Sequence, residues 1–214
     1  MPESLNELKI YLLHIESDFA SQLRKELVLC DESINKLAKR TAPLPVKQFL
    51  SSRALINHIL KVDWQSSSIN YLLEDSKSPP IIKPSGKLFL SISHSGDYVA
   101  VAIVDNPVGN DVEPVLRDRD YLARDKKSFH PNEVMALESS GSPKQLEANF
   151  YRLWTLRECL FKLGGLASLT DQGFELERKI VEGGFNPYSY SNNKVYLSAT
   201  TGHPGVIKLI FIER

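Results

Sequence analysis

Two short stretches hold residues whose types and spacing could do chemistry. In NPVGNDVEP (106–114), Asp111 and Glu113 stand two residues apart, directly after an apolar run. In an extended strand, side chains at i and i+2 share a face. The two carboxylates then sit side by side and repel unless something positive lies between them. Such a pair is either the solvated end of an ordinary strand or part of a divalent-cation site. In FYRLWTLRECLFKLGG (150–165), helical spacing puts Trp154, Glu158 and Lys162 at i, i+4 and i+8 on one face. A Glu–Lys pair at that spacing is most often a surface ion pair worth about 0.2–0.5 kcal/mol. Here Phe150, Leu153, Phe161 and Leu163 indicate burial nearby, and a partly buried carboxylate beside an aromatic needs a partner charge or a metal. Asp111, Glu113 and Glu158 together could supply oxygen ligands to a hard cation such as Mg²⁺, with waters or phosphate oxygens completing the shell.

These residues need elements to position them. LKIYLLHIE (8–16) reads as a strand, and Ser17–Asp18 as the N-cap of a helix reaching about Leu29. DESINKLAKR (31–40) reads as a second helix, ended by the prolines at 43 and 45. VKQFLSSRALINHIL (46–60) has apolar residues near helical period. A Pro-rich loop (74–87) precedes two strands around Gly96–Asp97 in LFLSISHSGDYVAVAIV (88–104). RDRDYLARDKKSF reads as helical, and HPNEVMALESS restarts a helix with Pro131 in its first turn and Glu133 near its start. Ser142–Pro143 open the longest helix, which Gly164–Gly165 stop. GFELERKIVEGG, KVYLSATTG and GVIKLIFIER read as three strands.

One internal echo stands out. Residues 88–103 and 195–210 align without gaps, each as strand, glycine-containing turn and strand. Either the likeness is chance between two hairpins, or the chain is two related α+β halves about a pseudo-twofold with a cleft between them.

Composition bounds the setting. The chain has 214 residues, 42% of them hydrophobic and 24% charged, as expected of a soluble globular protein. Lys plus Arg and Asp plus Glu both number 26, so no overall basic field points to nucleic acid. No apolar run is long enough for a bilayer, and the start MPESLNELKIYLL lacks the basic region of a secretory signal. Cys30 and Cys159 are the only cysteines and form no metal-type pattern, which suits a reducing cytoplasm. Cys159 lies one helical step, about 100°, from Glu158 and reads as packing.

In this order, VGNDVEP, FHPNE and WTLRECLFK resemble the signature of the surfactin-synthetase-activating (Sfp) type of 4′-phosphopantetheinyl transferase, namely G-(I/V)-D-(I/V)-E, F-x-x-x-E and W-x-x-K-E-x-x-x-K. SISHSGDYVAVAI resembles the family's serine–histidine strand-turn, and SRALINHIL its arginine-led helix. The matched pieces span about residues 40–170. The resemblance implies an α+β fold of two pseudo-twofold-related halves in one monomer, 1–106 for the coenzyme A contacts and 107–214 for the metal and catalytic residues, with the active site in the cleft between them. It implies transfer of phosphopantetheine from coenzyme A, as co-substrate, to a serine of an apo acyl or peptidyl carrier protein, with Mg²⁺ or Mn²⁺ bound. Carried over by position, Asp111 and Glu113 would hold the metal on the pyrophosphate. Glu158 would be a third ligand, the general base, or both, and Lys162 would stabilise phosphate charge. His94 with Ser93 would contact the nucleotide-phosphate end, and Arg53, Arg40 and Lys77 the coenzyme phosphates. No nucleic acid or membrane partner is expected.

The chain departs from the signature in three places. Asn110 stands where the family has an apolar residue, Arg157 where it has lysine, and KLGGLASL is compact where the family has a longer glycine-containing segment. LARDKKSFH (122–130) is either a solvated face or, less favoured, a basic docking strip for an acidic carrier helix. Two other functions compete: a metal-dependent phosphoryl or phosphodiester hydrolase using the same carboxylates, and a non-catalytic coenzyme- or carrier-binding homologue.

Overall fold

The computed structural model describes residues 7–65, 72–73, 81–82, 88–115, 126–164, 175–202 and 205–212. Contacts group the chain into two units, one of residues 1–107 with 205–214, the other of 108–204.

The first unit is a four-stranded sheet covered by helices. Its strands are β1 (Glu7–His14), β4 (Phe89–Ser95), β5 (Tyr98–Val104) and β9 (Val206–Ile212), in the order β4-β5-β1-β9. The β4–β5 hairpin turns at Gly96, whose φ of 52° is readily adopted only by glycine. Alternation along the strands puts Tyr11, Leu13, Val99, Val101, Ile103 and Leu90 on one face. Helices α1 (Asp18–Lys25) and α3 (Pro43–Val62) cover that face, contributing Ala20, Leu23, Leu55, Ile56 and Ile59 to the same core. Ser17 caps α1 by accepting from the Ala20 amide. A short helix α2 (Asp31–Leu37) and a two-residue ladder of β2 (Leu72–Leu73) with β3 (Ile81–Ile82) complete the described part.

The second unit is a three-stranded antiparallel sheet in the order β6-β8-β7, from β6 (Val108–Pro114), β7 (Asn186–Ser191) and β8 (Val195–Thr201). Its helices are α4 (Pro131–Glu138), α5 (Pro143–Lys162) and α6 (Leu176–Glu182). A 3₁₀ turn at Lys126–Ser128 precedes α4. The sequence places α5 correctly, with Ser142 as its side-chain cap.

Several expectations need correction. Pro43 and Pro45 do not merely end the preceding helix; they open α3, where the first turn needs no proline N–H. The first helix ends at Lys25 rather than Leu29. LERKIVE is the helix α6, not a strand: Leu176 and Ile180 bury one turn apart against Leu156 and Leu160, and the chain leaves it at Gly183–Gly184, with Gly184 at φ 64°. The strand lies further on, at β7.

The anticipated second hairpin at 195–210 does not form. β8 pairs with β6 and β7, whereas β9 pairs in parallel with β1, from Glu7↔Val206 to Leu13↔Ile212. Ile210 and Ile212 thereby join the first unit's core, so the final strand sits outside the expected 107–214 half. The helix anticipated after Arg117 falls mostly outside the described residues. Among the described residues no helix is long and apolar enough to cross a membrane.

Candidate active site

Strand β6 and helix α5 build the site. Gly109, Asp111 and Glu113 share one face of β6, opposite Thr200, Ser198 and Tyr196 of β8. Helix α5 lies on this face and touches it at every turn. Tyr151 stacks on Tyr196 at 4.6 Å, Thr155 Oγ1 lies 2.7 Å from Ser198 Oγ, and the Cys159 thiol donates to the Ser198 carbonyl at 3.3 Å. Thr155 also donates its hydroxyl proton to the Tyr151 carbonyl. Ser198 must therefore donate to Thr155, and Ser189 of β7 to Ser198 at 3.0 Å. Residues 151, 155 and 159 form one helical stripe, and 158 and 162 lie on the stripe beside it.

The approach of α5 to β6 depends on Gly109. A Cβ at that position would lie 2.1 Å from the Cys159 carbonyl oxygen and 2.8 Å from its carbon. Only a residue without a side chain lets the helix backbone come so near. This contact brings Glu158 and Lys162 to Asp111.

Lys162 Nζ donates to Asp111 Oδ1 at 2.9 Å and to the Asn110 carbonyl at 2.8 Å. Burial pulls the Lys162 pKa down, but Asp111 foremost, by its charge and its hydrogen bond, with Glu158, more than offsets this and holds the ammonium above its ordinary value. Glu158 is half-buried. Burial first, then the charge of Asp111 and more weakly of Glu113, pushes its pKa up to about 7 against the relief from Lys162. Burial, then the charges of Asp111 and Glu158, push the Cys159 thiol well up, so it is a packed, protonated group.

The carboxylates of Asp111, Glu113 and Glu158 suit a hard cation in chemical kind. Even so, among the described residues no three His, Cys, Asp or Glu side chains are gathered tightly enough to hold an ion as placed. Lys162 supplies a positive charge at Asp111.

Other motif residues turn out to be structural. Trp154 shares the stripe of Glu158 but lies in an aromatic cluster, 6.5 Å from Phe129 and parallel to Phe150 at 6.4 Å. Arg157, anticipated as a departure beside the site, is fully buried and pairs with Glu133 at 2.7 Å. Glu133 also accepts from the His130 amide at 2.9 Å and the Leu176 amide at 2.6 Å. Sequence reasoning missed this knot and the role of Gly109. Its visible signal was a Glu three residues after the cap of α4. Asn110 is buried on the face of β6 away from Asp111, and only its carbonyl meets Lys162.

The first unit carries the anticipated coenzyme contacts. Arg40 and Arg53 both lie over the Phe49 ring, at 4.4 and 4.2 Å, so the two guanidinium groups share one neighbourhood. Arg53 also donates to Ser52 Oγ at 2.9 Å, and Arg40 to the Lys36 carbonyl at 2.7 Å. Ser93 and His94 are adjacent on β4 and so point to opposite faces, Ser93 buried and His94 exposed on the α3-covered side. Lys77 lies outside the described residues.

Gly109→Ala should destabilise the protein by about 1–3 kcal/mol, the usual range for overpacking against backbone, as read from urea unfolding. A stability equal to wild type would contradict the close contact. Glu158 titrates higher folded than its ordinary 4.5, so the folded state retains a proton that the unfolded chain has released. Its contribution is present below pH 4.5 and is lost as pH rises to about 7. Without divalent cation, Glu158→Gln should gain stability relative to wild type across that window. Urea midpoints measured at intervals of pH check the sign.

Residues 107–188 match the family model of the 4′-phosphopantetheinyl transferase superfamily. The 4′-phosphopantetheinyl transferase psf-1 of Bacillus pumilus is 30% identical over 57% of this chain and 52% of its own length. The 4′-phosphopantetheinyl transferase AcpT of Escherichia coli O157:H7 is 28% identical over 56% of this chain and 58% of its own. AcpT of Salmonella typhimurium is 30% identical over 58% and 62% respectively. The chain thus spans between about half and three fifths of the length of these curated relatives. Each match is to a 4′-phosphopantetheinyl transferase, and the family segment contains Gly109, Asp111, Glu113, Glu133, Arg157, Glu158 and Lys162. That segment and these relatives make residues 107–188 similar to the 4′-phosphopantetheinyl transferase superfamily.

Proposed function

We propose that this protein transfers the 4′-phosphopantetheine group of coenzyme A to a serine of an apo acyl or peptidyl carrier protein, releasing adenosine 3′,5′-bisphosphate. The observation that carries this reading is half-buried Glu158, one helical turn from the Lys162 ammonium that pairs with Asp111, and under the charges of Asp111 and Glu113. The names of the relatives support the same reaction class.

A serine hydroxyl is a weak nucleophile and needs a base within hydrogen-bond reach. Glu158, whose pKa near 7 suits proton exchange at neutral pH, takes that proton as the serine oxygen bonds to the phosphorus carrying pantetheine. The bond from that phosphorus to the adenosine bisphosphate oxygen breaks. Lys162 steadies the negative charge on the phosphate oxygens, acting as a point charge. Asp111 and Glu113, with Glu158, would hold Mg²⁺ or Mn²⁺. When bound, that ion supplies neutralisation of the leaving pyrophosphate oxygen.

Arg53 and Arg40, each stacked on the Phe49 ring, would hold coenzyme phosphates, with Lys77 as a further contact. Arginine's forked donors suit a phosphate dianion. Of the histidine and serine assigned to the nucleotide end, exposed His94 is the better placed donor, and Ser93 faces away from it.

The test is incubation with coenzyme A, Mg²⁺ and a panel of apo carriers, read by intact mass. Carrier modification is expected. Glu158→Gln should lower its rate by about 10²–10⁴-fold, the usual weight of a general base, while coenzyme A still binds. Coenzyme breakdown without carrier modification would instead identify a hydrolase, and binding without turnover on any carrier a non-catalytic homologue. Full activity in Glu158→Gln would remove Glu158 from the chemistry.

A further inference from the structure

Helix α5 is gripped at two consecutive sites around Glu158. On one side, Cys159 presses its carbonyl into the space left by Gly109 and donates its thiol proton to the Ser198 carbonyl. On the other, Arg157 is wholly buried and donates to Glu133. Glu133 is itself nine-tenths buried and joins three elements. One of its oxygens accepts from Arg157 and from the His130 amide at the start of α4, the other from the Leu176 amide at the start of α6. Phe129 closes the knot, with the Arg157 guanidinium 5.6 Å from its ring centre.

Successive helical side chains lie about 100° apart. Residues 157 and 159 therefore brace the helix on either side of the direction in which Glu158 points. A helix held by one stripe alone can roll about it. Held by two, from the sheet and from the α4–α6 knot, it cannot roll without breaking a buried ion pair or driving backbone into backbone. A small roll would carry Glu158 and Lys162 away from Asp111 together, since both lie on the stripe between the braces.

We infer that Glu133, acting through Arg157, is a positioning residue for Glu158: the buried pair sets the rotation of α5 against β6, and turnover depends on that rotation. This rests on the function proposed above for its kinetic consequence, but not for its geometric one. A buried ion pair alone is weak grounds for a stabilising role, because neutral residues of similar size often replace it at no loss. That fact makes a clean experiment available.

In Glu133→Gln/Arg157→Met, the glutamine keeps an oxygen for one backbone amide, the methionine fills the arginine's volume, and no buried charge is left alone. The double variant should fold with a melting temperature near wild type. Its turnover on an apo carrier should fall about 10–100-fold, as a displacement near 1 Å of a reacting group costs, with the KM for coenzyme A little changed. By NMR, the NOEs between the Gly109 Hα protons and Cys159 should weaken. Arg157→Lys, which restores a cation opposite Glu133, should recover those NOEs and most of the turnover. It also serves as the variant if the double substitution does not fold, when a drop in kcat without change in KM is expected relative to wild type, smaller than tenfold. NOEs and kcat both identical to wild type in the neutral variant, or a kcat identical to wild type in Arg157→Lys where only that folds, would overturn the inference and leave the pair a stability device. If wild-type protein modifies no carrier, the functional reading fails, and the Gly109–Cys159 NOEs alone still decide the positioning claim.

Discussion

The close approach of one helix backbone to one strand backbone underlies everything the second unit can do. At Gly109 the Cys159 carbonyl occupies the volume of a missing Cβ, and two residues along the strand, on the same face, Asp111 meets Lys162. Had the helix been held off by even a methyl group, the carboxylate of Glu158 would feel Asp111 and Glu113 less, and its pKa would fall back towards that of a solvated acid. Charge clustering at this site is therefore a consequence of packing. Tyr151 on Tyr196 and Thr155 on Ser198 carry the same contact along the helix.

A packed cluster of like charges is costly by itself, and the structure shows how the cost is limited. Lys162 neutralises Asp111, while Glu158 keeps a raised pKa and sits only half-buried. A group so poised is readily protonated or deprotonated near neutral pH, and with the two carboxylates of Asp111 and Glu113 it is of the chemical kind that a hard cation takes. The opposite treatment is seen one residue away. Arg157 and Glu133 are buried and paired, and Glu133 also accepts from two backbone amides, which is the treatment of a structural ion pair. Adjacent residues of one helix thus face two electrostatic regimes, separated by a 100° turn.

Much of this was legible in the residues. The paired carboxylates at 111 and 113, the Glu158–Lys162 spacing and the extent of α5 all follow from period-2 and period-3.6 patterns, and the structure places them on β6 and α5. Local patterns failed where long-range pairing decides. β9 has the look of a hairpin partner for β8, but its ladder with β1, nearly two hundred residues away, takes it into the other unit. LERKIVE has enough β-branched character to read as a strand, yet its burial against Leu156 and Leu160 makes it a helix. Gly109 and Arg157 were visible as motif letters, but their reasons lie in contacts with residues fifty and twenty-four positions away. No pattern within one segment could reveal them.

On the function we propose, Asp111, Glu113 and Glu158 would hold a divalent cation against the pyrophosphate of coenzyme A. The most direct measurement is ³¹P NMR of coenzyme A with a trace of Mn²⁺, with and without the protein, in the absence of any carrier so that no turnover occurs. Broadening of the pyrophosphate resonances well beyond that of the 3′-phosphate should appear with wild-type protein and vanish with Asp111→Asn. Identical broadening with Asp111→Asn, or none with wild-type protein that binds coenzyme A, would contradict it.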